Sequence, residues 1–380
     1  MERISLAPRP DWQDTAAEAG FTFHSENGPY WDEAAAYRFT LAQVEQIEEA
    51  TESLESLCYQ VVDRAVGDPA VLERLAIPDR FHDLVRRSWT DRERNLYGRF
   101  DFSYDGGTPP KLLEYNADTP TSLYEAAVFQ WVWLEQMIGR GALPEGSDQF
   151  NSLHERLVEA WKGVGVVGDR LHFAGVMAAE EDRVTVAYLA DCARQAGFAT
   201  EEMDVAEIGV TTAGDFVDLR DRPIRTLFKL YPWEFMVREQ YAASLLRRSA
   251  RIVEPAWKMV LSNKGLLALL WEMFPGHPNL LPAFFDGTEH GLEQPYVRKP
   301  LLSREGANVE IVGMLDAEGG PYGAEGYVVQ QFAPLPCFDG NYPVIGSWVV
   351  AGQPAGMGIR EDTSPVTRNT SRFIPHFIQG

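Results

Sequence analysis

Residues 99–122, RFDFSYDGGTPPKLLEYNADTPTS, carry the pattern that most constrains how this chain can fold. Two segments alternate polar and apolar residues with period two, as strands with one buried face do. The residues between the two segments are rich in Gly and Pro, which is typical of a hairpin loop. The pattern therefore predicts a β-hairpin with one polar and one apolar face.

The polar face of this hairpin collects charged groups that need partners. Folding the strands together brings Asp101, Glu114 and Asn116 onto one surface. Arg99 lies beside them, and the alternation places Leu112 on the face of Glu114. Two carboxylates about 4 Å apart repel by roughly 4 kcal/mol at an effective dielectric of about 20, so they need a cation or a proton between them. An all-oxygen set suits Mg²⁺ and a neighbouring arginine suits phosphate, although an ordinary hairpin with a solvated polar face is the alternative.

Composition and charge limit the classes of function. The formal net charge is −22, which argues against nucleic acid or an anionic membrane surface as a partner. A cationic substrate is compatible with this charge, but so is an acidic surface that only confers solubility. Cys58, Cys192 and Cys337 are odd in number and widely spaced, which indicates reduced thiols. With no signal-peptide pattern and no apolar run of about 20 residues, a cytoplasmic protein is expected.

The hairpin resembles the metal-binding segment of the glutathionylspermidine synthase family, a branch of the ATP-grasp ligases. The resemblance rests on R-x-D followed by LLEYNADTPTS. It continues through SNKGLLALLW (262–271), FPGHPNLL (274–281), YVRKPLLSREGANV (296–309), IGSWVV (345–350) and GMGIRED (356–362). The resemblance implies an α+β, ATP-grasp-type fold with a βαβ-containing, pre-ATP-grasp-like part. It covers the synthetase half of the bifunctional members, so amidase activity is not expected.

Changes in the predicted secondary-structure pattern along the chain indicate four tightly packed regions. Residues 171–231 alternate strand, helix and strand, which predicts a βαβ-like unit. The regions are an N-terminal helical part (1–98), the metal-binding hairpin and helices (99–170), the βαβ-like part (171–231) and the nucleotide-binding part (232–380).

Two lysines are candidate nucleotide ligands. Lys264 stands at a predicted helix start after a capping Ser-Asn pair, where it could equally be a solvated side chain. Lys299 shares a strand face with Val297, and a lysine in a mostly apolar site needs an anionic partner. The resemblance implies that both lysines bind the α- and β-phosphates of ATP.

Two further segments complete the predicted nucleotide site. By itself the segment 303–309, SREGANV, is a polar turn. The resemblance implies that this segment, with Ser303 and Gly306, closes over the triphosphate, and that the strand containing Gln330 and Gln331 holds adenine. The chain has no Walker A sequence and no GxGxxG after a strand, which excludes P-loop and Rossmann sites.

Arg360 is the second candidate catalytic residue, together with Arg99. Its sequence neighbours Glu361 and Asp362 are acidic, but adjacent strand residues point to opposite faces. The resemblance implies that Arg360 stabilises charge on the transferred phosphate and on the tetrahedral intermediate, as a fixed cation can.

Two polar segments are candidate substrate contacts. Hydroxyl residues that follow the second strand of the hairpin could orient an acid, or could simply cap the next helix. An acidic run could bind a cationic amine, or could be a solvated turn before a helix that begins near Val184. The hydroxyl residues are Thr119, Thr121 and Ser122, and the acidic residues are Glu180, Glu181 and Asp182.

The predicted function is an ATP- and Mg²⁺-dependent carboxylate–amine ligase that works through an acyl phosphate. The resemblance implies that a glutathione-like peptide and a polyamine-like amine are joined, so the expected partners are small molecules, with neither nucleic acid nor membrane. A catalytically silent nucleotide-binding protein of the same fold and a ligase for another acid–amine pair are the alternatives.

Overall fold

The computed structural model describes residues 1–25 and 28–379, which form mixed sheets and helices. The strands are β1 (Glu2–Ser5), β2 (Ala35–Phe39), β3 (Tyr97–Ser103), β4 (Lys111–Asn116), β5 (Leu171–Gly175), β6 (Thr200–Asp204), β7 (Gly209–Val210), β8 (Phe216–Val217), β9 (Thr226–Leu230), β10 (Arg251–Val253), β11 (Ala283–Phe285), β12 (Tyr296–Pro300), β13 (Glu310–Val312), β14 (Tyr327–Gln331), β15 (Tyr342–Val350), β16 (Gln353–Asp362), β17 (Arg372–Ile374) and β18 (His376–Ile378).

The helices pack against these sheets. They are α1 (Trp12–Glu18), α2 (Leu41–Gly67), α3 (Pro69–Arg74), α4 (His82–Thr90), α5 (Gln130–Gly139), α6 (Leu153–Gly163), α7 (Glu180–Gln195), α8 (Trp233–Met236), α9 (Ala242–Leu245), α10 (Lys258–Leu261) and α11 (Gly265–Met273). One turn of π-helix, Glu125–Phe129, leads directly into α5. No helix of the described residues is both long enough and apolar enough to cross a bilayer.

A five-stranded antiparallel sheet, in the order β17-β16-β15-β3-β4, forms the centre of the fold and is called the central sheet below. The predicted hairpin is confirmed as β3 and β4. Gly346 of β15 lies opposite Asp101, where a Cβ atom would stand 2.8 Å from Cδ of Arg99. This glycine therefore leaves the space that the Arg99 side chain occupies.

A parallel sheet in the order β10-β9-β5-β6 confirms the predicted βαβ-like unit, because β5, α7 and β6 follow one another with β5 and β6 paired in parallel. Such pairs need a crossover connection, which α7 supplies. β10 also belongs to this sheet, which therefore extends past residue 231.

A four-stranded antiparallel sheet in the order β11-β14-β12-β13 carries Lys299, and α11 packs against β11 and β14. The three cysteines are free, with two buried and Cys337 exposed, in agreement with the predicted thiols.

Candidate active site

Two adjoining cavities lie beside the central sheet. Asp101, Glu114 and Gly306 line both, so the cavities meet at the carboxylate pair. The first cavity, called the arginine cavity, contains Arg99 and Arg360. The second, called the lysine cavity, combines two lysines with apolar walls. The structure thus brings together residues that are far apart in the sequence, such as Arg99 and Arg360, which are separated by 261 positions.

The register of the hairpin contains a β-bulge beside the carboxylates. Asp101 lies opposite Glu114, but the next residue, Phe102, lies opposite Leu112, so Leu113 is the extra residue. Leu112 is fully buried in the apolar core, and the prediction that it shares a face with Glu114 is wrong. Leu113 lines the lysine cavity instead, which is a usual effect of a bulge near a site.

Each carboxylate of the pair has a cationic partner. Arg99 binds Asp101 through two hydrogen bonds, from Nε to Oδ1 at 2.6 Å and from Nη2 to Oδ2 at 2.9 Å. Lys264 Nζ lies 3.1 Å from Glu114 Oε2. The Asn116 amide bridges the two carboxylates, because its Nδ2 donates to Asp101 Oδ2 and to Glu114 Oε1, both at 3.1 Å.

The position of Asn116 tests whether these residues fit a metal ion. Rotation of its amide by half a turn would present Oδ1 to the same point, and the assignment of O and N rests on the hydrogen-bond network. Three oxygens from Asp101, Glu114 and Asn116 would then converge, a donor set that suits Mg²⁺. No group of three or more His, Cys, Asp or Glu side chains is placed to hold a metal in the described residues, so this set of two carboxylates depends on the amide oxygen as its third donor.

The electrostatics of the pair follow from burial and from the lysines. Burial alone would raise the pKa of Glu114, but Lys264 and Lys299 lower it to about 2. Burial raises the pKa of Asp101, and the charge of Arg99 opposes that rise. Burial lowers the pKa of Lys299 to about 8, since Glu114 only partly offsets it. Glu114 is therefore ionised at neutral pH and ready to accept a cation.

Lys299 is buried at the back of the lysine cavity. Its Nζ donates to the Leu113 carbonyl and to Gln330 Oε1, both at 2.9 Å. Gln330 also donates to the Leu112 carbonyl at 3.0 Å, so this buried side chain fixes both the lysine and the hairpin. The Gln331 side chain is exposed. The apolar walls of the cavity come from Val297, Val309, Ile311, Phe332 and Leu335.

The segment 303–309 lies over the junction of the two cavities. The carbonyl of buried Ser303 accepts a hydrogen bond from Lys264 Nζ at 2.6 Å. Gly306 has a φ of +72°, and a Cβ atom there would lie 2.7 Å from the Thr367 carbonyl oxygen, so only glycine fits. Arg304 is a site residue that the sequence argument missed, although it lies within SREGANV.

Arg304 ties this segment to the opposite wall of the arginine cavity. Its Nη2 lies 2.8 Å from Glu234 Oε1, and its Nη1 donates to Thr119 Oγ1 at 2.7 Å. The Thr119 hydroxyl is thus occupied in this structure. The side chain of Arg304 therefore joins the segment 303–309 to the residues that follow β4.

Arg360 is held by backbone carbonyls. Its guanidinium donates to the carbonyls of Arg368, Asn369 and Ser371 at 3.0–3.1 Å. The neighbouring Glu361 is buried on the other face of β16, as the strand alternation predicts. The positive charge of Arg360 therefore has no carboxylate partner among its hydrogen bonds in the described residues, and it lines the cavity.

The three predicted hydroxyl residues lie around the arginine cavity but use different groups. Thr121 offers its carbonyl, which accepts from Arg99 Nη1 at 2.6 Å. The Ser122 hydroxyl makes no helix cap, because it contacts Tyr30 Oη at 2.9 Å and Arg360 Nη1 at 3.1 Å. Ser122 has a φ of +67°, a strained conformation for a residue with a Cβ atom.

The acidic run does not act as one cluster. The helix begins at Glu180 rather than near Val184, so the three residues occupy its first turn and point in different directions. Glu180 pairs with Arg183 and Thr22 on the surface. Glu181 lies beside Ser122, whose backbone amide donates to Glu181 Oε1 at 3.4 Å, and burial raises the pKa of this carboxyl. Asp182 accepts from Val176 N at 3.4 Å, and burial raises its pKa to about 6.

Comparison with known proteins identifies the family of this chain. A family model described as "Glutathionylspermidine synthase preATP-grasp" matches residues 3–379. This chain belongs to the glutathionylspermidine synthase family. The recognition made from the sequence motifs is thereby confirmed, and so is an enzyme of the acid–amine ligase class.

Named relatives of this family member differ in length. A protein of Haemophilus influenzae named "Putative acid--amine ligase" is 43% identical, with both chains covered completely. Trypanothione synthetase of Crithidia fasciculata is 30% identical over 82% of this chain and 51% of its own length. The bifunctional glutathionylspermidine synthetase/amidase of Escherichia coli is 27% identical over 90% of this chain. The chain spans only 59% of that bifunctional protein.

A solved structure supports the fold assignment. A glutathione synthetase-like effector from Globodera pallida superimposes with a TM-score of 0.59 at 12% identity, covering 99% of this chain and all of the other. Such a low identity supports the fold alone. The predicted α+β, ATP-grasp-type class is confirmed.

Proposed function

We propose that this chain is an ATP- and Mg²⁺-dependent ligase that activates a carboxylic acid as an acyl phosphate and transfers it to an amine. One observation carries the proposal: an apolar cavity with two lysines meets an arginine-rich cavity at the carboxylate pair Asp101 and Glu114. A nucleotide suits the first environment and an anionic acid suits the second. The γ-phosphate would lie where the two cavities meet.

The chemistry needs an activated acid because a carboxylate is a poor electrophile. Transfer of the γ-phosphate to the carboxylate creates a good leaving group, and attack by an amine then gives the amide, ADP and phosphate. Phosphoryl transfer asks the protein mainly for positioning and for cationic stabilisation. A covalent protein nucleophile is not required.

The cationic side chains divide this task by position. Lys264 and Lys299 would bind the phosphates of the nucleotide from the lysine cavity. Arg99 and Arg360 are fixed by existing hydrogen bonds and would meet developing charge with little reorganisation. Mg²⁺ held by Asp101, Glu114 and Asn116 would neutralise charge on the phosphate oxygens.

We assign a peptide-like acid, with glutathione as the first candidate, and a polyamine-like amine as the substrates. The names and the family of the relatives support this assignment. Glu181 is the acidic residue of the run best placed to bind an ammonium group, since it contacts the backbone of Ser122, which lines the arginine cavity. Glu180 lies on the surface and is not part of this proposal.

ADP release tests the substrates directly. Glutathione with spermidine, in the presence of ATP and Mg²⁺, is expected to release more ADP than either substrate alone. Glu181→Gln should raise the KM for the amine about tenfold or more, because a charge-assisted contact contributes roughly 1.5–3 kcal/mol. Glu180→Gln is the matched control and should leave the KM for the amine unchanged. No turnover with any peptide acid would remove the donor assignment.

Removing a cation from the lysine cavity is expected to have a different effect from removing one from the arginine cavity. Lys299→Ala should weaken binding of a non-hydrolysable ATP analogue by about 10- to 100-fold, since a buried charge-assisted contact is lost. Arg360→Ala should leave that binding nearly unchanged and mainly lower turnover. Calorimetric titration separates them, with exposed Lys162→Ala as the control. An equal loss of affinity in both variants would make Arg360 a nucleotide ligand.

A further inference from the structure

A buried chain of hydrogen bonds leads from the arginine cavity into the protein interior. It begins at the Ser122 hydroxyl, which lines the cavity, and continues to Tyr30 Oη at 2.9 Å. The Tyr30 hydroxyl donates to Oε1 of Glu125. Glu125 is 0% exposed, and its second oxygen, Oε2, has no hydrogen-bond partner in the described residues.

The direction of every proton in this chain is fixed by its two ends. Arg360 can only donate, so Ser122 Oγ accepts from Arg360 Nη1. The Glu125 carboxylate can only accept, so the single proton of Tyr30 is committed to it. Ser122 must then donate its proton to Tyr30. All the donors point from the cavity toward Glu125, and one lone pair of Ser122 is left for a donor in the cavity.

We propose that Ser122, Tyr30 and Glu125 form a proton relay that removes the proton from the attacking amine. The inference rests on the proposed ligase function and goes beyond it, since it assigns a path and a final acceptor for that proton. Glu181 lies next to Ser122 and would hold the ammonium group at the mouth of the relay.

The step balances without any further reactant. The ammonium N–H bond breaks and its proton goes to Ser122 Oγ, while the Ser122 proton passes to Tyr30 Oη and the Tyr30 proton passes to Glu125. The amine keeps the electron pair and attacks the acyl phosphate. Both hydroxyls end neutral with the direction of their hydrogen bonds reversed, and Glu125 ends protonated.

The environment of Glu125 suits a proton acceptor. Burial, and then repulsion from Glu181, raise its pKa to about 7, against the opposing effects of Tyr30 and Arg360. Tyr124 is a further titratable neighbour, since the charge of Glu125 adds to the effect of burial in raising the pKa of the Tyr124 hydroxyl. Glu125 also opens the turn of π-helix, a feature that is frequent at functional sites.

Hydroxylamine separates this role from a structural one. Hydroxylamine is uncharged near neutral pH, so its attack needs no base. Phosphorylation of the donor acid needs no base either, because that acid is already ionised. With ATP and glutathione, Glu125→Gln and Tyr30→Phe should therefore form hydroxamate at close to the wild-type rate. Spermidine-dependent amide formation should fall by about 100-fold or more, as for lost acid–base catalysis.

The pH profile supplies the second readout. Wild-type kcat/KM for spermidine should rise through a limb near pH 7, and Glu125→Gln should lose that limb. Tyr231→Phe is the matched control, because it removes a tyrosine–glutamate hydrogen bond (Tyr231 to Glu239, 2.7 Å) outside both cavities. Equal losses with hydroxylamine and spermidine, or a limb that persists in Glu125→Gln, would overturn the relay.

Failure of the proposed function is recognisable separately, because the wild type would then form neither hydroxamate nor amide. In that case infrared difference titration of wild type against Glu125→Gln still decides whether Glu125 can serve as the acceptor. A carboxyl signal with a midpoint near pH 7 supports the assignment. Titration in the ordinary range of a glutamate would remove it.

Discussion

Replacing Glu114 with glutamine is expected to lower amide-forming turnover by about a thousandfold, because a lost metal ligand removes several kcal/mol of charge stabilisation. The variant should still fold, since Glu114 is partly exposed and projects into a cavity rather than into the core. Turnover at increasing Mg²⁺, together with the thermal unfolding midpoint, measures both effects.

Asn116→Ala extends the same test. It leaves both carboxylates in place but removes the bridging amide, so the Mg²⁺ concentration needed for half-maximal turnover should rise. Glu159→Gln, an exposed glutamate on α6, serves as the control for a lost carboxylate. Wild-type-like turnover of either site variant at ordinary Mg²⁺ would show that the metal assignment is wrong.

The hairpin shows how far sequence alternation can place a site. Period-two spacing correctly predicted that Asp101, Glu114 and Asn116 share one surface. It failed at Leu112, because a single extra residue at Leu113 reverses the faces beyond it. Nothing local distinguishes KLLEYN with a bulge from a regular strand, since the bulge is set by pairing with β3.

The acidic run 180–182 shows a different limit of sequence reading. Successive helix residues turn by about 100°, so a run that begins in the first turn cannot present all three carboxylates to one ligand. The sequence predicted a start near Val184, whereas α7 begins at Glu180. Of the three, Glu181 contacts Ser122 at the edge of the arginine cavity, and that outcome depends on a helix boundary that sequence patterns place poorly.

Residues contributed by distant segments were beyond the reach of pattern reading. Tyr30 reaches Glu125 across 95 positions, and Arg304 reaches Thr119 across 185 positions. Each is an ordinary residue in its own segment, and only the tertiary fold gives it a partner. The resemblance identified motif residues, but the groups that support them came from the structure.

Beneath the site, a buried ion pair is expected to be essential for stability. Lys229 of β9 pairs with Asp118, which lies two residues after the end of β4, and each side chain is 1% exposed. Asp118 Oδ2 also accepts from the Trp233 backbone amide at 2.9 Å. Lys229→Met should therefore lower the free energy of unfolding by about 3–5 kcal/mol, because it leaves a buried carboxylate without its cation.

Denaturant unfolding measures this loss, with two comparisons. Lys162→Met removes an exposed pair with Glu159 and should cost about 1 kcal/mol or less. The double variant Lys229→Met with Asp118→Asn should recover part of the loss, because the amide keeps an acceptor for Trp233 N–H but carries no charge. If Lys229→Met costs no more than Lys162→Met, the pair contributes little to folding. The end of β4 would then be held mainly by Lys258, which donates to the Ala117 carbonyl at 2.9 Å.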